Sequence, residues 1–394
     1  MSSPDTVIGR QLLPILAAAA VGLIPFTVFS TFLVDIAATT AVDAPTMGGL
    51  RGLGGAAAVA VGAGYALGAS WLPVRVATCS GLLALAVGSL VMTVGSFWGV
   101  VISCLGIGAA TSLLNPALQT AAAERFRSPA DQGRAATMVT ATTTLTALLA
   151  APVLGGLSLV VGWRGLLGLS AMAAVLLAVI LRRAASSRSA TDGSGAAGAQ
   201  RQGRLATIAD RATGPLLLIS LLRTAAFMGT LAVLAAVYAE RHAMTGQAFT
   251  WVWSLSGAAF FVANWLTGRA LAAQYDRSVT ILAAGIVAAI GGLGLVFLSV
   301  PLISMLAGSA VLAAGHAMIA AAVTTRLAQV GSPARPAALA MNGLAQSVGT
   351  FAGASIAAVG HSVAGWPGTA TALGAVTLFC AIPLAVRRRH RASA

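Results

Sequence analysis

Apolar residues run along the chain in twelve long stretches, and shorter, more polar intervals separate them. A helix needs about 20 consecutive apolar residues to cross the hydrocarbon core of a bilayer. We therefore predict twelve transmembrane helices near residues 11–37, 47–70, 74–94, 96–121, 135–160, 163–181, 214–238, 249–271, 278–299, 301–323, 337–360 and 367–386. The pattern predicts an all-α, polytopic membrane protein.

The composition excludes an ordinary soluble domain. Hydrophobic residues make up 58% of the 394 residues, charged residues only 8%, and the mean hydropathy is +0.91. Soluble domains carry about 25% charged residues. The three cysteines lie inside apolar stretches without the spacing of metal ligands, so we predict no metal site and no cofactor. Hydrolase motifs and phosphate-binding loops are missing from the sequence, and we therefore do not expect an enzyme.

The positive charge follows the positive-inside rule. The formal net charge is +14, and all 23 basic residues are arginine. With a cytoplasmic N-terminus, all arginines fall in or beside cytoplasmic intervals except Arg51, Arg164, Arg223 and Arg241. This predicts that both termini are cytoplasmic and that the basic residues face a lipid bilayer, not nucleic acid. The absence of lysine from an alanine-rich chain is typical of a GC-rich bacterial genome, so we expect a multi-pass protein of the bacterial inner (cytoplasmic) membrane.

One long polar interval divides the predicted helices into six and six. Residues 182–213 are rich in Ser, Gly, Ala and Arg, which predicts a flexible cytoplasmic linker between bundles at 1–181 and 214–394. A shift of 203 or 204 residues also places 128–130 on 332–334, Met138 on Met341, and 162–165 on 365–368. Parallel six-helix repeats are typical of one transporter architecture, in which substrate binds between the halves near the membrane midplane.

A motif late in predicted helix 5 points to a family. Residues 151–156 read Ala-Pro-Val-Leu-Gly-Gly, and Gly-Trp-Arg follows at 162–164. The motif resembles the Gly-Pro-x-x-Gly-Gly antiporter motif of exporters of the major facilitator superfamily, and the resemblance covers nearly the whole chain. A proline frees a backbone carbonyl and glycines allow close helix contact. Pro152, Gly155 and Gly156 are therefore expected to bend or seal this helix when the halves rock.

A second resemblance concerns the loop between helices 2 and 3, where the family carries Gly-x-x-x-Asp-Arg-x-Gly-Arg. This chain keeps Gly68 and Arg75 there but lacks the acid. The counterpart in the second half keeps Gly268 and Arg269, followed by Asp276. The resemblance implies that Arg75, Gly268, Arg269 and Asp276 act in conformational gating at the cytoplasmic end.

Ionisable residues at membrane depth are costly and usually functional. Arg223 lies ~15 Å along predicted helix 7, a helix that lines the central cavity in the resembled family, so it is expected either to bind a carboxylate or phosphate or to be structural. Asp35 and His316 are the candidate proton carriers. The alternatives are an ion pair of Asp35 or Asp43 with Arg51, and simple packing for His316.

Other side chains are expected to line the cavity. They are Phe26 and Thr27 in helix 1, Asn115 in helix 4, Asn264 in helix 8, and Asn342 with Gln346 in helix 11. The last two are spaced i, i+4 and share a helix face.

Three hypotheses of function follow. The first is a secondary active transporter that works by alternating access and exports a small amphipathic drug or metabolite by proton antiport. The second is an organic-anion transporter that recognises its substrate through Arg223. The third is a receptor or lipid-handling protein on a transporter fold. The expected partners are a small-molecule substrate, the bilayer and, in the first case, protons, and we expect a monomer.

Overall fold

The computed structural model describes residues 4–68, 73–126, 128–186, 213–274, 277–329 and 335–382, and within these ranges the regular secondary structure is helical. The first six helices are α1 (Pro4–Val21), α2 (Ile24–Thr31), α3 (Leu33–Thr40), α4 (Ala44–Gly68), α5 (Val74–Thr93) and α6 (Phe97–Ala123). The next six are α7 (Pro129–Ser186), α8 (Gly214–His242), α9 (Gly246–Ala273), α10 (Ser278–Phe297), α11 (Leu302–Ala328) and α12 (Arg335–Phe379).

Two helices contain a break, and each of them crosses the membrane twice. α7 is non-helical at Gly162, where φ is 66°, and α12 is non-helical at Ala364 and at Gly365, where φ is 58°. The ψ values at these two glycines are 174° and −147°, and only glycine readily combines an extended ψ with a positive φ, so glycine is required at both breaks. The two glycines are related by the shift of 203 residues found in the sequence, and they fall where the predicted helices 5 and 11 give way to helices 6 and 12.

The first passage is not the single helix that the sequence predicted. It consists of α1, α2 and α3, and it extends to Thr40. Pro25 stands in the first turn of α2, where it has no N–H to continue the hydrogen-bond pattern of α1. The second break is at Phe32, which has φ −102° and ψ 25°. The prediction of one uninterrupted helix over 11–37 is therefore wrong.

Twelve passages result, arranged in two pseudo-symmetric halves of six. Eight of the described helical stretches are long and apolar enough to cross a membrane, and α4 and α9 are not among them. α7 continues to Ser186, beyond the predicted end at 181. Residues 187–212, which make up most of the predicted linker, and residues 383–394 lie outside the described ranges.

The contacts between the halves repeat the pseudo-symmetry. α4 packs against α12, and α9 packs against α7. The second passage thus contacts the eleventh, and the eighth contacts the fifth. Passages 2 and 8 are equivalent in the two halves, as are passages 5 and 11, so the two contacts are related by the pseudo-symmetry. The turns after the first and seventh passages also match, because Ala41 and Ala243 both adopt a left-handed conformation, with φ of 54° and 50°.

The buried core has two parts. The larger apolar cluster contains residues of both halves, among them Phe29, Ile36, Val233 and Ala354. The smaller cluster belongs to the second half alone and gathers the residues at one end of its helices, including Leu217, Leu282, Leu327 and Ala338. Apolar packing therefore joins the two halves towards the other end of the bundle.

Candidate functional site

The two halves touch closely at the end of the bundle that carries the turns 41–43 and 243–245, which we call the closed end. Glycines allow this approach. A Cβ on Gly49 would lie 2.9 Å from Ala358 Cβ, and a Cβ on Gly155 would lie 2.6 Å from Thr250 Oγ1. Still closer contacts of the same kind join Gly48 to the Ala232 carbonyl and Gly55 to the Phe351 backbone.

The opposite end, where α4 and α9 finish and α12 begins, is the open end. A Cβ added to Gly64, Gly268 or Gly343 would meet no neighbouring atom within 4 Å. These glycines lie on the same three helices that form the tight contacts at the closed end. At these three positions the described residues show no close contact between the halves.

Arg51 lies at the contact between the halves, and no acid within the described ranges pairs with it. Its side chain is 5% exposed. The guanidinium carbon lies 3.7 Å from the ring centroid of Phe26 on α2, and Nη2 lies 3.9 Å from Met228 Sδ on α8. Nε and Nη1 are buried and have no hydrogen-bond partner. The expectation that Arg51 pairs with Asp35 or Asp43 is therefore wrong.

Both acids interact elsewhere. Oδ1 of Asp43 accepts a 2.8 Å hydrogen bond from the Thr46 backbone N–H. Slight burial raises the pKa of Asp43, but the hydrogen bonds from Thr46 outweigh this effect and leave the pKa below its ordinary value. Asp35 lies against the first residue of α9, since a Cβ on Gly246 would come 2.5 Å from Asp35 Oδ2. Asp35 therefore lies at the contact between the two halves at the closed end.

Arg223 occupies a different position. It is 6% exposed, and its Nη2 donates a 2.8 Å hydrogen bond to Thr224 Oγ1 on the same helix. Its electrostatic neighbours are His316 on α11 and Cys380, just after α12. All these partners belong to the second half, so Arg223 lies inside that bundle and not at its contact with the first half.

His316 lies beside Arg223. It is fully buried, and neither ring nitrogen has a hydrogen-bond partner. Its ring is 5.1 Å from that of Phe227, which stacks on Phe260 of α9 at 5.5 Å. The structure thus brings Arg223 and His316, predicted separately, into one cluster with two aromatic rings.

The remaining predicted lining residues are dispersed. Phe26 contacts Arg51, as described above. Thr27 is buried, and its hydroxyl donates to a carbonyl of its own helix. Asn342 is 8% exposed, and its Oδ1 lacks a partner, whereas Gln346 is half-buried. Asn115 and Asn264 are exposed. No described hydrogen bond joins the five polar side chains to one another.

The predicted antiporter motif lies in the first arm of α7, at its contact with α9. Pro152 is partly exposed within the helix, and Gly155 supplies the close approach to Thr250. Gly156 faces open space. The motif therefore combines a proline with one glycine at the seam of the two halves.

The residues of the predicted cytoplasmic latch are spread over the open end. Arg75 is exposed at the start of α5. Arg269 lies 5.0 Å from the ring of Trp265 on its own helix. Gly268 faces open space, and Asp276 lies outside the described residues.

Sequence analysis missed Arg51 as a site residue. The predicted start of helix 2 at residue 47 puts Arg51 in the first turns of that helix, whereas α4 begins at Ala44. One signal was available: Arg51 stands in a glycine- and alanine-rich stretch with no acid three or four residues away.

Comparison with solved structures identifies the fold. A bacterial homologue of the human lysosomal transporter Spinster, in an inward-facing and unoccupied conformation, has a TM-score of 0.77 and 14% identity over 98% of this chain and 96% of that one. A POT family transporter in complex with a thioalcohol-conjugated peptide has a TM-score of 0.74 and 11% identity over 97% and 96%. The human organic anion transporter MFSD10 (TETRAN) has a TM-score of 0.62 and 16% identity over 97% and 100%.

Sequence comparison identifies the family. No curated protein matches the chain. The profile of the Major Facilitator Superfamily matches residues 15–308, which is most of the chain. Together with the two halves of six passages, this match makes the protein a multi-pass transmembrane transporter that belongs to the major facilitator superfamily.

Proposed function

We propose that the protein exports a small amphipathic molecule by alternating access, in exchange for protons. The observation that carries this proposal is the unequal contact between the halves, which is tight at the closed end and absent at Gly64, Gly268 and Gly343. The positive-inside rule assigns the open end to the cytoplasm. In this conformation the cavity would therefore load its substrate from the cytoplasm.

The moving parts are proposed to be the bundles of residues 1–181 and 214–394, joined by the linker 182–213. Pro152 and Gly155 would let α7 bend and slide at the seam, while the residues predicted for the latch, Arg75, Gly268, Arg269 and Asp276, would meet when the open end closes. The substrate would contact apolar and aromatic side chains such as Phe227, together with polar groups such as Asn342 and Gln346. This mixture suits an amphipathic molecule.

Proton exchange is proposed for Asp35 and His316. When the closed end is closed, the Asp35 carboxyl is partly desolvated against Gly246, which disfavours its charged form. Proton uptake by Asp35 would therefore stabilise this contact between the halves, and loss of the proton would weaken it. His316 adds a second titratable group, inside the second half, whose nitrogens have no hydrogen-bond partner.

Transport can be tested in proteoliposomes that contain a pH-sensitive dye and start from a preset pH gradient. The probes are three related naphthalenes: the neutral sulfonamide, the sulfonate anion and the trimethylammonium cation. We expect at least one to dissipate the gradient in a saturable, protein-dependent manner, and Asp35→Asn or His316→Gln to abolish the effect. Glu240→Gln is the control, because Glu240 is an exposed acid at the end of α8.

Two outcomes would refute parts of the proposal. Accumulation of a probe without change in the pH gradient would exclude proton exchange. Saturable binding of a probe without accumulation would exclude transport of that probe and favour a receptor.

Organic-anion transport is the second candidate. From the sequence, this hypothesis assigns substrate recognition to Arg223. That arginine lies within the second half and donates a hydrogen bond to Thr224. One solved structure of similar fold is that of an organic anion transporter, MFSD10. The observation in this chain that favours an anion is a different arginine, Arg51, at the contact between the halves.

A further inference from the structure

We propose that Arg51, Phe26 and Met228 form a binding site for the charged group of an amphipathic organic anion, at the contact between the two halves. The inference rests on the transport function proposed above. It adds the chemical class of the transported substrate. Binding at this site can nevertheless be measured without any transport assay.

The site lies at the depth where alternating access requires a substrate. Phe26 is near the middle of the first passage, and Met228 is midway along α8. The guanidinium of Arg51 contacts both of them. Since Phe26 belongs to the first half and Met228 to the second, the positive charge lies between the two moving bodies.

Among the described residues, no acid compensates the charge, and the face of the Phe26 ring is its main attractive contact. Nε and Nη1 lack hydrogen-bond partners, and Nη2 contacts a thioether sulfur, which is a weak acceptor. Asp43 accepts a hydrogen bond from Thr46, and Asp35 lies beside Gly246. An isolated buried charge costs several kcal/mol, and ionisable groups at membrane depth are usually functional. A ligand that carries the missing negative charge removes this cost.

The neighbours of the guanidinium define the ligand. A guanidinium binds the planar or tetrahedral oxyanions of carboxylate, sulfonate and phosphate groups through two parallel hydrogen bonds. The guanidinium covers one face of Phe26, so the edge and the other face of this ring are left for an apolar body, and the flexible Met228 adapts to different shapes. The site therefore favours an anion whose charged group is attached to a flat apolar body over a small hydrophilic anion.

The site also couples binding to movement. Separation of the halves at the closed end withdraws Met228 from Arg51 and frees Nη2. An anion then replaces the thioether and shifts the equilibrium towards the conformation that it prefers.

Equilibrium binding to the purified full-length protein tests the inference. The probes are naphthalenesulfonate and its neutral match, naphthalenesulfonamide, measured in nanodiscs of phosphatidylcholine. We expect the sulfonate to bind the unmutated protein about 10- to 100-fold more tightly, as for hydrogen bonds to a charged group. Arg51→Gln should remove this preference. Arg223→Gln should keep it, because Arg223 is an equally buried arginine away from the seam.

Several results would overturn the inference. They are equal affinity of the unmutated protein for both probes, a preference that survives Arg51→Gln, and a preference that Arg223→Gln abolishes. The first needs no variant, so the inference stays testable if Arg51→Gln does not fold.

Two further measurements distinguish an organic-anion site from a lipid-headgroup site, and failure of this inference from failure of the proposed function. Addition of phosphatidylglycerol to the nanodiscs should leave sulfonate affinity unchanged, and competition would assign the site to a lipid headgroup and refute an organic-anion site. Loss of Arg51-dependent binding in a protein that still transports probes would refute this inference alone. Arg51-dependent binding in a protein that transports nothing would refute only the proposed function.

Discussion

The tight contact of Gly48 with α8 predicts a specific effect of a single methyl group. In Gly48→Ala the new Cβ would lie 2.9 Å from the Ala232 carbonyl carbon, and closer still to its oxygen. Carbon atoms prefer separations of about 3.5–4.0 Å, so α4 and α8 must move apart by at least roughly 0.6–1.1 Å to relieve the carbon contact, and the closer oxygen demands no less. Overpacking of this kind costs about 1–3 kcal/mol.

This cost falls only on the conformation in which the closed end is closed. The equilibrium between the two end states should therefore shift towards opening of this end by a factor of about 5–150. Gly64→Ala is the matched control, because Gly64 lies on the same helix but its Cβ would meet no atom within 4 Å. Both changes raise the helix propensity of α4 by the same ~1 kcal/mol, and this effect cancels in the comparison.

The equilibrium can be measured as a distance between spin labels on the two halves. Val94 and Val300 are suitable label sites, since they are 70% and 66% exposed in the turns after α5 and α10 at the closed end. We expect Gly48→Ala to increase the population with the longer distance and Gly64→Ala to leave the wild-type distribution. Identical distributions in the two variants would refute the assignment of Gly48 to a contact between moving halves.

Three further predictions follow from other contacts. With the same labels, the open population of the wild type should grow as the pH rises and Asp35 loses its proton, and Asp35→Asn should keep the low-pH distribution at every pH; a variant that keeps the wild-type pH response would contradict this. Tyr238→Phe removes a buried 2.9 Å hydrogen bond to Ser309 and should lower the unfolding free energy by about 0.5–1.5 kcal/mol; Ser309→Ala in the same protein should add little, and full additivity would argue against the bond. Gly155→Ala should slow probe transport because its Cβ meets the Thr250 side chain, and Thr250→Ala should restore part of the rate, so absence of rescue would exclude this contact as the cause.

Much of the fold followed from the sequence, because the bilayer imposes a strong and simple pattern. Every passage needs about 20 apolar residues, since backbone polar groups must be satisfied within the helix. Breaks were harder to predict. Those at Gly162 and Gly365 were visible because two glycines coincide with a repeat, whereas those after Val21 and at Phe32 depend on local backbone geometry inside one apolar run.

The candidate site was less predictable for a physical reason. Depth along a helix can be counted from the sequence, but the direction in which a side chain points depends on its neighbours. Arg223 is buried in α8, yet its contacts among the described residues all lie within the second half. Arg51 was considered a partner of Asp35 or Asp43, and it is buried against Phe26 and Met228 instead.

The sequence by itself determined that this chain is a twelve-passage membrane protein with two related halves, because hydrophobic length, arginine placement and internal repetition are properties of the linear order. Only the tertiary structure decided which end of the bundle is closed and which buried arginine lies between the halves. Those properties arise where Gly48 meets Ala232 and where Arg51 meets Met228. These contacts join residues far apart in the chain, and no local pattern encodes their pairing.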